Sequence, residues 1–177
     1  MIINTSKEFE QYLSRNKSGE RKEQSDFLLS LIGDVVVFFN GLEAQLDSCL
    51  CEVFTDRTDA TGLIVLNKMA YSSKVDLFKR FGDDLHSSID KVPDIYNELI
   101  KTLRESGRIR NIVVHADWEN QDEENYTFTK VKITKFGMVQ EYSLVDEESL
   151  MKIVEFIVKT RKNLDEYWEE RRRIIYH

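Results

Sequence analysis

From Asp26 onward the apolar residues recur at steps of three and four: Leu28, Leu31, Ile32, Val35, Phe38, Phe39, Leu42, Leu46, Cys49, Leu50 and Val53. That spacing puts them on one face of a 3.6-residue repeat and predicts one long amphipathic helix. Gly33 and Gly41 weaken it, and close helix packing is the usual reason to keep them. Thr55-Asp56-Arg57-Thr58-Asp59 reads as a break with capping residues, before a second helix over roughly Ala60 to Met69. Ser72 or Ser73 suits the cap of a third helix carrying Val75, Leu77, Phe78, Phe81 and Leu85. Pro93 suits the first turn of a fourth, with Ile95, Leu99, Ile100, Leu103, Ile109, Ile112 and Val113 as its apolar set and a bend at Gly107.

After Trp118 the period changes from helical to two. Asn120 to Asn125 is a polar loop; Tyr126, Phe128, Lys130, Lys132 and Thr134 then alternate with Thr127, Thr129, Val131 and Ile133. Lys135-Phe136-Gly137-Met138 supplies a turn and Val139 to Val145 returns, which predicts a β-hairpin over about 125–145. A lone hairpin is not stable in water, so it must lie on the helices or on a partner. The last helix starts near Asp146-Glu147-Glu148, acidic residues that suit a helix N-terminus, and runs through Leu150, Ile153, Val154, Ile157, Leu164 and Trp168. Residues 1–24 form a polar lead-in, partly loop, with a short helix over Lys7 to Leu13. The fold class is mainly α: an up-and-down bundle of about four to five helices with one inserted hairpin, in a single domain spanning 1–177.

Composition narrows the function classes. A chain of 177 residues with one proline can bury a core built from long helices. Cys49 and Cys51 stand one residue apart in a helical pattern and point away from each other, so reduced thiols are expected rather than a disulfide or metal pair. Met1-Ile2-Ile3 is followed at once by polar residues, and the apolar run Phe27 to Phe39 is interrupted by Asp34 and too short to cross a bilayer. A cytoplasmic protein with no membrane partner is expected. The net charge of −7 argues against nucleic-acid binding through the whole surface, so any RNA contact needs a local positive patch.

The chain has no phosphate-binding P-loop, no dinucleotide fingerprint and no nucleophile elbow. His86, His115 and His177 lack partners at metal-ligand spacing, so neither metal nor cofactor is expected. Arg171-Arg172-Arg173 reads as a solvated helix terminus. What remains is Arg110-Asn111-Ile112-Val113-Val114-His115, with Lys101, Arg104 and Arg108 upstream as the positive patch. At roughly 100° per residue, Arg104, Arg108, Asn111 and His115 share one stripe, while Arg110 falls roughly 140° from His115. A bend, the length of the arginine side chain or a dimer cleft has to bring the two together. The purely structural alternative pairs a half-buried Arg110 with a carboxylate such as Glu43. It leaves Asn111 bonding the backbone and His115 favoured by the helix C-terminus.

This segment resembles the HEPN superfamily (higher eukaryotes and prokaryotes nucleotide-binding), small helical proteins whose motif is Arg, a polar residue, then His four to six residues on. Here it reads Arg110, Asn111 and His115, within Gly107 to Trp118. The order of segments is similar as well. A long helix with Phe39-Asn40-Gly41-Leu42-Glu43 precedes Ser72-Ser73-Lys74-Val75-Asp76-Leu77-Phe78, and a terminal helix follows the hairpin, so the resemblance covers about Asp26 to Trp168. Ala116 stands where family members often have Gly.

The resemblance implies metal-independent RNA cleavage by a homodimer, of toxin or phage-defence type, restrained by an antitoxin or other regulatory protein. Its alternative is a non-catalytic module that binds nucleotide or protein. A 2′-hydroxyl attacking its own phosphate needs a proton acceptor, a donor for the leaving 5′-oxygen and positive charge on the phosphorane. Histidine suits His115 to the acid–base work, Arg110 can clamp the phosphate bidentately, and Asn111 can orient either group. Lys101, Arg104 and Arg108 are the expected RNA contacts. Trp118 and Trp168 read as packing residues rather than base-stacking platforms.

Overall fold

The computed structural model describes residues 6–9, 26–54, 60–118, 126–135 and 137–176. Among them are five helices: α1 (Asp26–Phe54), α2 (Ala60–Leu66), α3 (Tyr71–Ile89), α4 (Tyr96–His115) and α5 (Glu147–Tyr176). Three strands, β1 (Ser6–Phe9), β2 (Tyr126–Thr134) and β3 (Gly137–Leu144), complete them. The fold is mainly helical with the hairpin inserted between α4 and α5, as the change of period requires. The capping cluster Thr55 to Asp59, the loop Asn120 to Asn125, His177 and most of the lead-in lie outside the described residues.

The chain divides into two compact units, Met1–Val37 with Arg108–Glu155, and Phe38–Gly107 with Phe156–His177. In the first, Leu28, Leu31 and Val35 of α1, Ile109, Ile112 and Val113 of α4, and Leu150 and Ile153 of α5 are buried. The sheet adds Val139 and Tyr142. Its strand order is β1-β3-β2, antiparallel throughout. The hairpin thus gains a third strand. Lys7 to Phe9 were expected as part of a short helix, but they pair with β3 from Tyr142 to Gln140. An open strand edge offers backbone partners that a marginal four-residue segment cannot supply to itself, so pairing overrides local propensity.

The strict alternation expected of β2 also fails. A bulge between Phe128 and Lys130 adds one residue, Thr129, so the alternation inverts beyond it. Lys130 and Lys132 then stand across from Glu141 and Val139, and both ammonium groups reach the Glu141 carboxylate at 3.3 and 2.7 Å. Burial alone would raise that carboxyl, but the two lysines hold it below its ordinary range. Val131 and Ile133 are left exposed, whereas Thr127 and Thr129 are buried. At the turn Gly137 has φ of 131°, a value that a side chain rarely permits.

In the second unit the core is formed by Phe39, Leu42, Leu46 and Leu50 of α1, Val75 and Phe78 of α3, Leu99 and Leu103 of α4, and Ile157, Leu164 and Tyr167 of α5. Cys49 and Cys51 are both buried, and neither forms a disulfide. Trp168 is buried, donates its indole N–H to Glu52 at 2.9 Å and carries the Arg171 guanidinium 4.4 Å above its ring. The basic run is therefore more than a solvated terminus: Arg172 also pairs with Glu52 and, at 2.6 Å, with Glu169.

Several helix boundaries depart from expectation. α3 starts two residues earlier than a Ser72 cap and three earlier than a Ser73 cap would place it, with Ala70 at the cap position and no side-chain cap hydrogen bond. α4 starts at Tyr96, after Pro93, whose carbonyl accepts the Tyr96 N–H at 3.0 Å. α5 is capped as its acidic start suggests, Asp146 accepting the Ser149 N–H at 2.8 Å. That bond holds the Asp146 carboxyl below its ordinary range, against a smaller opposing effect of burial. α1 is 29 residues long, so length does not exclude a membrane crossing, contrary to the expectation drawn from Phe27 to Phe39 alone. One stripe of it is buried within the protein: Val35, Leu42, Leu46 and Leu50 are wholly enclosed.

Candidate functional site

α4 carries every residue of the motif. Its buried positions Leu99, Leu103, Ser106, Ile109, Ile112 and Val113 follow the helical repeat, which turns Lys101, Arg104, Arg108, Asn111 and His115 outward. The helix runs without interruption through Gly107. A Cβ at Gly107 would meet the Tyr71 ring at 2.7 Å, and the Tyr71 hydroxyl donates to the Leu103 carbonyl at 3.1 Å. Gly107 is a close-packing position. Its small size admits the ring against the helix backbone.

The helix leaves Arg110 and His115 on different faces, and side-chain reach carries the guanidinium as far as Asn111. Arg110 is half-buried, and its Nη1 donates to Asn111 Oδ1 at 3.0 Å. Asn111 is exposed and lies one turn before His115 on the same stripe, so this bond leans the guanidinium toward the histidine face. His115 is exposed in the last turn of α4. Just beyond it, the Trp118 indole N–H donates to the Val113 carbonyl at 2.8 Å. One guanidinium, one amide and one imidazole thus occupy the last two turns of a helix, two of the three side chains open to solvent. Such a set can bind a phosphate and move a proton.

The upstream cations are less available. Lys101 lies 3.4 Å from Glu98, and Arg104 pairs with Asp76 at 2.9 Å. Both pairs are well exposed and contribute little to stability, but each lowers the positive potential of the patch. Glu43, the carboxylate considered for Arg110, is held by Lys74. That ammonium, on a residue 6% exposed, lies 2.8 Å from both Glu43 and Asp47. Burial would lower the Lys74 ammonium, yet the two carboxylates hold it above its ordinary range. Glu43 and Asp47 at i and i+4 gave a sequence signal for a shared face, but nothing pointed to a partner so far along the chain.

Sequence reasoning also missed an aromatic cluster around His86. The residue is 4% exposed, its Nε2 lies 3.2 Å from the Tyr167 hydroxyl, and its ring meets Tyr96 edge-on with centroids 4.4 Å apart. The Tyr96 hydroxyl in turn lies 2.8 Å from the Lys79 carbonyl and 2.9 Å from Asp83 Oδ1. A cleft of about 360 Å³, lined by Asp83, Ser87, Asp90 and Lys91 among others, opens beside this cluster at the α3–α4 turn. Among the described residues no three His, Cys, Asp or Glu side chains gather as a metal-binding group. No protein-family model, curated protein or solved structure matches the chain.

Proposed function

We propose that this protein is a HEPN-like, metal-independent endoribonuclease of toxin or phage-defence type. The observation that supports the reading is the Arg110–Asn111 hydrogen bond, which holds the guanidinium beside Asn111, one turn before an exposed His115. In this reading Arg110 clamps the scissile phosphate and offsets the charge that builds on the phosphorane. His115 takes the proton of the attacking 2′-hydroxyl or supplies one to the leaving 5′-oxygen. Asn111 holds Arg110. The products are a 2′,3′-cyclic phosphate and a 5′-hydroxyl. Two protomers facing one cleft supply both an acid and a base, so the active species is a homodimer, working in the cytoplasm under an antitoxin or other regulatory protein.

The test is RNA cleavage in the presence of a chelator by wild type, His115→Ala and Arg110→Ala. Loss of a positioned acid or base costs about 100-fold or more, so both variants should fall silent while keeping the wild-type circular dichroism. Cutting that needs a divalent metal, or that survives His115→Ala, rules the mechanism out.

A second reading, a non-catalytic module that binds nucleotide or protein, is favoured by the pairing of Lys101 with Glu98 and of Arg104 with Asp76. An RNA whose binding is unchanged in Lys101→Ala and Arg104→Ala would support it.

A further inference from the structure

Helix ends leave their last carbonyls without intrahelical partners and fray. In α4 those carbonyls belong to residues 112–115, the turn that bears His115. One of them is satisfied from outside the helix: the half-buried Trp118 donates its indole N–H to the Val113 carbonyl at 2.8 Å. The chain beyond His115 is thereby folded back onto the turn it has just left. An exposed imidazole on a frayed turn samples many positions, and a general acid or base must stay within hydrogen-bond reach of one proton.

We infer that Trp118 is a positioning residue for His115, acting through its indole N–H on the last turn of α4 rather than by stacking on a base. The inference deepens the nuclease reading and rests on it for its catalytic consequence. Its structural half stands apart: without the indole donor, the turn carrying Val114 and His115 opens more often. Trp118→Phe keeps an aromatic ring, though a smaller one, and removes the donor.

Amide hydrogen exchange and RNA turnover, both on the full chain, test the two halves together. In Trp118→Phe the Val114 and His115 amides should exchange about fivefold faster, the factor expected for one net hydrogen bond. The amides of Leu99 to Leu103 should be unchanged. Turnover should show kcat lowered by about the same factor with KM unaltered. Unchanged exchange at Val114 and His115 overturns the inference. So does a raised KM at constant kcat, which would make Trp118 a base-stacking contact. If wild type cuts no RNA, the nuclease reading fails alone; faster exchange, together with a changed His115 imidazole NMR signal, would still establish that Trp118 holds the turn.

Discussion

Arg110 donates a hydrogen bond to the side chain of its immediate neighbour, Asn111, at 3.0 Å. Successive helix residues point roughly 100° apart, so this bond exists only because the arginine is long enough to fold round the helix. The amide therefore acts as a latch for the guanidinium. Removing the acceptor in Asn111→Ala should release Arg110 and lower RNA turnover by about tenfold, equivalent to about 1.4 kcal/mol for a hydrogen bond to a charged group. Asn111→Gln keeps an uncharged amide acceptor within reach of Arg110 and should retain more of the activity. Equal losses in the two variants, measured as kcat/KM under chelation, would show that Asn111 meets the RNA directly.

Two glycines separate helix propensity from packing. A Cβ at Gly33, which is exposed, would meet nothing within 4 Å, whereas one at Gly82 would lie 2.5 Å from the Tyr96 hydroxyl. Tyr96 is 2% exposed, and its hydroxyl is held by the Lys79 carbonyl and Asp83. Gly33→Ala should therefore stabilise the protein by about 1 kcal/mol through propensity. Gly82→Ala should destabilise it by about 1–3 kcal/mol through overpacking. Urea denaturation of the two variants reads opposite shifts of the midpoint; the same sign in both would refute the assignment.

His86 should make stability depend on pH. Burial is the main cause of its depressed pKa; Arg171 acts in the same direction, and Asp83 and Glu170 oppose them. Its Nδ1 has no hydrogen-bond partner among the described residues. Tyr167 lies against Nε2. Protonation would therefore add charge in an enclosed site and leave an N–H without an acceptor. The folded protein binds this proton less readily than the unfolded chain. Stability is thus full above the ordinary histidine value of 6.5 and falls as pH drops from there toward the lower folded value. One proton gives a slope of at most about 1.4 kcal/mol per pH unit. Thermal melts between pH 8 and pH 5 should show this decline in wild type and a flatter profile in His86→Gln. Parallel profiles would place the titration on carboxylates instead.

The architecture was legible because burial periodicity is written locally. The three- and four-residue steps of α1, α4 and α5 and the change to a period of two after Trp118 each follow from which face meets apolar neighbours. The same repeat showed that Asn111 and His115 share a stripe and that Arg110 does not. What the sequence by itself determined is therefore the set of elements, their outward faces and the placing of the motif late in a helix. Tertiary structure alone decided the relations between residues distant along the chain. Lys74 takes Glu43 and Asp47, Tyr71 fills the space left open by Gly107, β1 pairs with β3, and Tyr167 comes against His86. The physical reason is that a periodic pattern specifies a direction in space but not what stands there. Which partner arrives is fixed only when the whole chain has packed.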